Sequence, residues 1–245
     1  MLNDIFTLIW KELKEVLLAR SSGRLGLLSL LIFIVVFAVM APLEWGLAWF
    51  TSLISIGIAM WLPIFLVAGL VTDAFAGERE RHTLETLLSS RLSDSAILFG
   101  KIGASVIYGW IFVLIILLVS AVTINIAYPQ GGIKFFPLGL FAAGLGFSLL
   151  TCLLIASLGV LISLRSATAR IAYQKLSIAM LVVVMAPSLL LPVLTAELQA
   201  PSLQFLEGIN LGMLALVASV VLITAVAVLI GIAKARFQRA KLILD

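Results

Sequence analysis

Residue types that carry covalent or metal chemistry are almost missing from this chain, which holds one histidine, His82, and one cysteine, Cys152. A Cys/His metal cluster, a haem ligand pair and a disulfide are therefore excluded within a single copy. An intramembrane metalloprotease would need a second histidine, and a Ser/His enzyme would need its histidine in an apolar stretch rather than in a charged one. No G-x-x-x-x-G-K-[ST] loop is present, so the chain does not bind ATP by that device. One patterned charged block remains: Asp73-Ala-Phe-Ala-Gly77-Glu78-Arg79-Glu80-Arg81-His82-Thr83-Leu84-Glu85-Thr86-Leu87-Leu88. Leu84, Leu87 and Leu88 recur at i, i+3 and i+4 and predict a short helix with an apolar edge, its start ringed by alternating charges. Such a ridge reads either as a docking surface or as an amphipathic loop helix lying on a membrane. His82 reads as a solvated loop residue. Just beyond, Ser93 is placed as an N-cap, with Asp94 in the first turn and Leu92 stapled to Ile97.

The elements that position this block are membrane spans. Of the 245 residues 63% are hydrophobic and 11% charged, with a mean hydropathy of +1.25, outside the globular range. Cutting the chain at its charges leaves six charge-free runs of 19 to 32 residues, bounded by Arg24, Glu44, Asp73, Lys101, Lys134, Arg165, Lys175, Glu197, Glu207 and Lys234. Each reaches the roughly 20 residues a spanning helix needs. Tyr128-Pro129-Gln130-Gly131-Gly132 marks a short loop between the third and fourth helices. In the seven segments outside these runs the Lys and Arg counts are 4, 0, 4, 1, 3, 0 and 4, so fifteen of the sixteen fall on one side. The positive-inside rule then puts both termini, the 73–101 loop and the 165–175 loop in the cytoplasm. The net charge of +4 is explained by that placement, without a nucleic-acid partner. Trp45, Trp49 and Tyr128 fall where an interfacial aromatic belt is expected. With no ionisable group deep in a run, proton pumps and voltage sensors lose support.

Residues 1–24 lack signal-peptide features and read as an interfacial helix. Ile5, Leu8, Ile9, Leu13, Val16 and Leu17 share one face; Asp4, Thr7, Lys11, Lys14 and Glu15 share the other; Ser21-Ser22-Gly23 supplies the bend. Glu12 falls inside the apolar arc, where it either snorkels or pairs with a partner. Cys152 is a small packing residue in the fourth span. Gly139, Gly144, Gly146 and Gly159, and the Gly208/Gly212 pair, permit close helix packing, within the chain or between copies. Pro187, Pro192 and Pro201 predict either a broken, re-entrant segment over 187–208 or a Pro-capped helix with an ordinary outer loop.

Gly77-Glu78-Arg79-Glu80, Thr83-Leu84-Glu85 and Leu87-Leu88, followed by Gly100-Lys101, resemble the loop after the second span of ABC-2 type permeases. Trp10-Lys11-Glu12-Leu13 and the six-span count resemble that family too, although Arg91 stands where many relatives carry proline. The resemblance implies an all-α membrane protein of the type V exporter fold: a single permease domain over 1–245, with an interfacial N-terminal helix, six transmembrane helices and a coupling helix in the 73–101 loop. It implies a pair of six-helix halves in a bacterial or archaeal plasma membrane, each coupled to a separate ATPase subunit that carries ATP and magnesium, with no cofactor in this chain. Carried over, Gly77, Glu78, Arg79, Glu80, Thr83, Leu84, Glu85, Leu87 and Leu88 form the ATPase contact, and Glu12 is a further candidate. Two alternatives stay open: an ATP-independent channel or lipid scramblase, and a non-transporting membrane anchor for a cytoplasmic partner. A charge-poor interior suits hydrophobic or lipid-linked cargo better than small ions.

Overall fold

The computed structural model describes residues 2–22, 28, 31–129, 132–181 and 211–237. Every regular element among them is helical. In chain order these are α1 (Leu2–Ser22), α2 (Leu31–Phe50), α3 (Leu53–Asp73), α4 (Ala76–Glu80), α5 (Leu84–Leu88), α6 (Asp94–Ala127), α7 (Leu138–Ser163), α8 (169–181) and α9 (Leu211–Arg236). Five stretches are long and apolar enough to cross a membrane: α2, Ser55–Glu80, α6, α7 and Ala215–Arg236. They match five of the six expected spans. The fifth expected span begins within α8, and its remainder, like the 187–208 segment and Gly208, lies outside the described residues.

Packing follows small residues. α3 lies along α7, where a Cβ on Gly159 would run into the Val71 side chain, and a Cβ on Gly109 of α6 would strike Val67 of α3. Cys152 is buried at that same crossing, 3.2 Å from the Gly109 Cβ position, in the packing role expected of it. Helices in lipid gain little from burying apolar surface against each other, so close backbone approach and interhelical hydrogen bonds hold them. Trp110 Nε1 donates to the Leu145 carbonyl at 3.0 Å, binding α6 to α7.

At the end away from most basic residues, the chain departs from two expectations. Glu44 does not end the first span. The helix passes through a π turn at Val35–Met40, breaks at Gly46 (φ +55°) into a 3-10 turn that carries the span to Phe50, and α3 starts only at Leu53. The carbonyl of Ala38, in the π turn, accepts from Thr123 Oγ1 at 3.0 Å. Nor does Trp49 join an interfacial belt: it is fully buried and its indole donates to Ser120 Oγ at 3.2 Å, while Trp45 and Tyr128 stay exposed. A buried indole requires such an acceptor. Asn125 closes the loop before α7, accepting the Lys134 N–H and donating to the Lys134 carbonyl, both at 2.7 Å.

At the opposite end, Ser163 joins three segments. Its buried hydroxyl donates to the Thr72 carbonyl at 2.8 Å and accepts from the N–H groups of Phe75 at 3.2 Å and Ala76 at 2.9 Å. It thereby bridges the break between α3 and α4 from the last residue of α7. Ser163→Ala should cost about 2 kcal/mol, the penalty for leaving buried backbone donors unsatisfied. Thermal unfolding in nanodiscs checks this, and an unchanged midpoint would show the hydroxyl to be dispensable.

Candidate functional site

The 73–93 segment is a compact block. α4 ends in two paired bonds, Thr83 N–H to the Glu78 carbonyl at 2.9 Å and His82 N–H to the Arg79 carbonyl at 3.1 Å. This C-terminal cap needs a left-handed residue after the cap, a place glycine usually takes. His82 fills it with φ +58°, exposed as expected. The Arg81 guanidinium reaches back to Asp73 through two bonds, of 3.2 and 3.0 Å. A Cβ at Gly77 would collide with the Asp73 carboxylate, so only glycine leaves room for that crossing. After α5, Ser93 caps α6 as expected, its Oγ accepting the Ala96 N–H at 3.2 Å, and Leu92 and Ile97 share one core cluster.

The apolar edge of α5 faces inward. Leu84 and Leu88 are buried in a cluster with Phe75, Ile97 and Leu164, and Leu87 is half-buried against it. The expected outward ridge is therefore not there, because the apolar ends of α6 and α7 need covering and α5 covers them. Arg81, His82, Thr83, Glu85, Thr86 and Ser89 form the exposed face instead.

Beneath the block sits a buried charge network. Lys101, eight residues into α6, has a side chain only 1% exposed. Its Nζ donates to Glu78 Oε1 at 2.8 Å and to Glu12 Oε1 at 3.0 Å, and stands 5.5 Å from the centre of the Phe75 ring. Three elements thus meet on one ammonium: α1, α4 and α6. Glu12, expected to snorkel or to pair, pairs within the chain. Lys11 lies 3.8 Å from Glu12 and 3.2 Å from Glu15. Partial burial pulls the Lys11 ammonium down, but these carboxylates outweigh it and hold the group above its ordinary value. The network borders a cavity of about 240 Å³ between α1 and the block, also lined by Asp73, Arg81 and Ser105.

α1 reaches this position by packing on α6. Leu8 lies against Gly100 and Ile9 against Gly103, at distances that leave no room for a Cβ. The expected apolar face of α1 is thus turned to protein: Leu8 is buried, and Ile5, Ile9, Leu13 and Val16 are half-buried. Leu2, Phe6 and Trp10 form a second apolar stripe, 66 to 81% exposed.

Of the nine loop residues singled out in the sequence, Gly77, Glu78, Leu84 and Leu88 are buried in this chain. Arg79 donates to the carbonyls of Ser166 and Leu164, and Glu80 accepts the Ala169 N–H. Thr83 and Glu85 are exposed and Leu87 is half-buried. Sequence reasoning used Lys101 as a span boundary and as the end of the loop motif, gave it no place in the site, and passed over Ser163. The sole signal for Lys101 was a carboxylate in an apolar arc at Glu12, which called for a cation without naming one.

A family model described as ABC-2 family transporter protein matches residues 48–229, taking in the block, Lys101 and Ser163. No curated protein matches the chain.

Removing one member of a buried ion network strands the others. Lys101→Met should destabilise the chain by about 3–5 kcal/mol, and adding Glu78→Gln and Glu12→Gln should restore most of it. Denaturant unfolding and proteolysis within α1 check this, and equal stability of the single and triple variants would exclude a shared network. His82→Gly should stabilise by about 1 kcal/mol by relieving the left-handed residue. An unfolding midpoint that does not rise would refute that.

Proposed function

The chain belongs to the ABC-2 family of transporter proteins, and from that membership we propose that it is one permease half of an exporter, paired with a second half and driven by a separate ATPase subunit. Proteins of this family are membrane subunits of ABC transporters, and the transport chain is not itself catalytic. ATP and magnesium are carried by the partner. Both termini and the 73–101 loop lie in the cytoplasm of a bacterial or archaeal cell, on the strength of the Lys and Arg distribution.

The observation that supports coupling through this loop is its construction. A capped α4–turn–α5 block, bonded to α1, α6 and α7, moves as a unit with the helices it touches. The ATPase contact is formed by the exposed face, with Thr83, Glu85 and the outer edge of Leu87 as contact groups. Gly77, Glu78, Leu84 and Leu88 shape that face from inside, and Glu12 supports it through Lys101. Closure of two ATPase subunits on ATP would move two such blocks and tilt the spans beneath them. α1 lies in the headgroup layer with Leu2, Phe6 and Trp10 immersed, a stripe of the kind that anchors interfacial helices.

The test is co-purification in nanodiscs with Walker-motif ATPase chains from the same source. Stoichiometric binding to the native chain is expected, with affinity reduced at least about tenfold in Thr83→Arg/Glu85→Lys, since reversing a charge and adding bulk at a contact cost over about 1.4 kcal/mol. Full affinity in the double variant would remove these residues from the contact. Failure of the native chain to bind any such ATPase would overturn the permease reading.

A further inference from the structure

Arg79 and Glu80 are neighbours on α4, yet they hold opposite ends of one turn elsewhere in the chain. Arg79 Nη1 donates to the Ser166 carbonyl at 2.8 Å and Nη2 to the Leu164 carbonyl at 3.2 Å, just past the C-terminus of α7. Glu80 Oε2 accepts the Ala169 N–H at 3.2 Å, at the N-terminus of α8. A helix leaves its last carbonyls and first N–H groups without intrahelical partners, and its C-terminus attracts cations as its N-terminus attracts anions. Each side chain therefore meets the pole of opposite sign. The local sequence does not do this alone: Thr168 accepts the Ile171 N–H at 3.3 Å and its carbonyl accepts from Ala172, which leaves Ala169 to Glu80. Ser163, buried between the same elements, fixes α4 against the end of α7.

We propose that Arg79 and Glu80 are positioning residues that transmit movement of the 73–93 block to the α7–α8 turn, setting the angle between the fourth span and the helix that follows it. This rests on the permease reading for the source of the movement, while the clip itself stands on the chain alone. The block then has two outputs: α6 through Lys101 and the Ser93 cap, and α8 through this clip. Arg79 and Glu80 thereby have a role within the chain in addition to any contact with the ATPase.

Hydrogen exchange over residues 164–172 in nanodiscs tests both parts. In the chain alone, Arg79→Ala and Glu80→Gln should each raise exchange of these amides by about tenfold, Arg79→Lys by less, and Arg79→Glu/Glu80→Arg by at least as much as either single variant, because each charge then faces the wrong pole. Unchanged exchange in all four would overturn the clip, whether or not an ATPase binds. With the ATPase partner bound, adding a non-hydrolysable ATP analogue should change exchange over 164–172 in the native complex. That nucleotide-dependent difference should vanish in Glu80→Gln measured at ATPase concentrations that saturate the complex. A difference that persists in Glu80→Gln would reduce the clip to a purely structural contact and overturn the transmission role.

Discussion

A single buried ammonium decides how the basic end of this molecule is assembled. An ammonium 1% exposed has lost its hydration and needs carboxylates at hydrogen-bond distance in its place, and the two that Lys101 uses come from 89 and 23 residues away. Neither α1 nor α4 is long or apolar enough to fix its own place. α4 is a single turn, and one exposed stripe of α1 faces away from the protein. Pairing both with Lys101 ties two locally weak elements to α6, the longest helix described. Losing Lys101 strands two carboxylates, whereas losing one carboxylate still leaves the ammonium the other, so the lysine is the corner on which all three elements depend.

That meeting depends on the absence of side chains. Leu8 can approach α6 only because Gly100 has no Cβ, and Ile9 only because of Gly103 one turn on, which brings Glu12 level with Lys101. Gly77 acts likewise for the Asp73 and Arg81 pair, and Gly159 lets α3 settle on α7 close enough for Ser163 to reach Thr72. In lipid, where apolar surface gives helices little reason to prefer one another over acyl chains, such approaches supply the specificity that a hydrophobic core supplies in water.

How much of this was legible in the sequence follows from what each feature depends on. Five of the six expected spans, the Ser93 cap and the loop helix α5 rest on local composition and spacing, and they appear where those patterns put them, apart from the end of the first span at Glu44. The identity of the family rested on a local motif and is matched over 48–229. What was not legible depends on pairing across the chain. Periodicity located the edge formed by Leu84, Leu87 and Leu88 but had no means of deciding whether protein or solvent would meet it. Likewise a lone lysine between two apolar runs looks the same whether it ends a span or anchors a buried network. The Trp49 indole and the continuation of α2 past Glu44 belong to the same class, since Ser120 and Phe136, which receive Trp49 and Phe50, are 70 or more residues away in the chain.

The place of the network along α6 reconciles it with a membrane. At 34 residues the helix is about 50 Å long, against a hydrocarbon layer of about 30 Å, so several turns project beyond it. Lys101 lies about 11 Å from the start of α6, within the projecting part. The charges are therefore buried by protein, chiefly α1 and the 73–93 block, and not by lipid, and the ammonium is offset by two short hydrogen bonds and an aromatic face. In the proposed coupling this projection would make α6 a lever, its projecting turns carrying the block while the remainder crosses the bilayer among α2, α3 and α7. A force applied at the block would then meet a helix with neither proline nor a π turn, whereas α2 contains both.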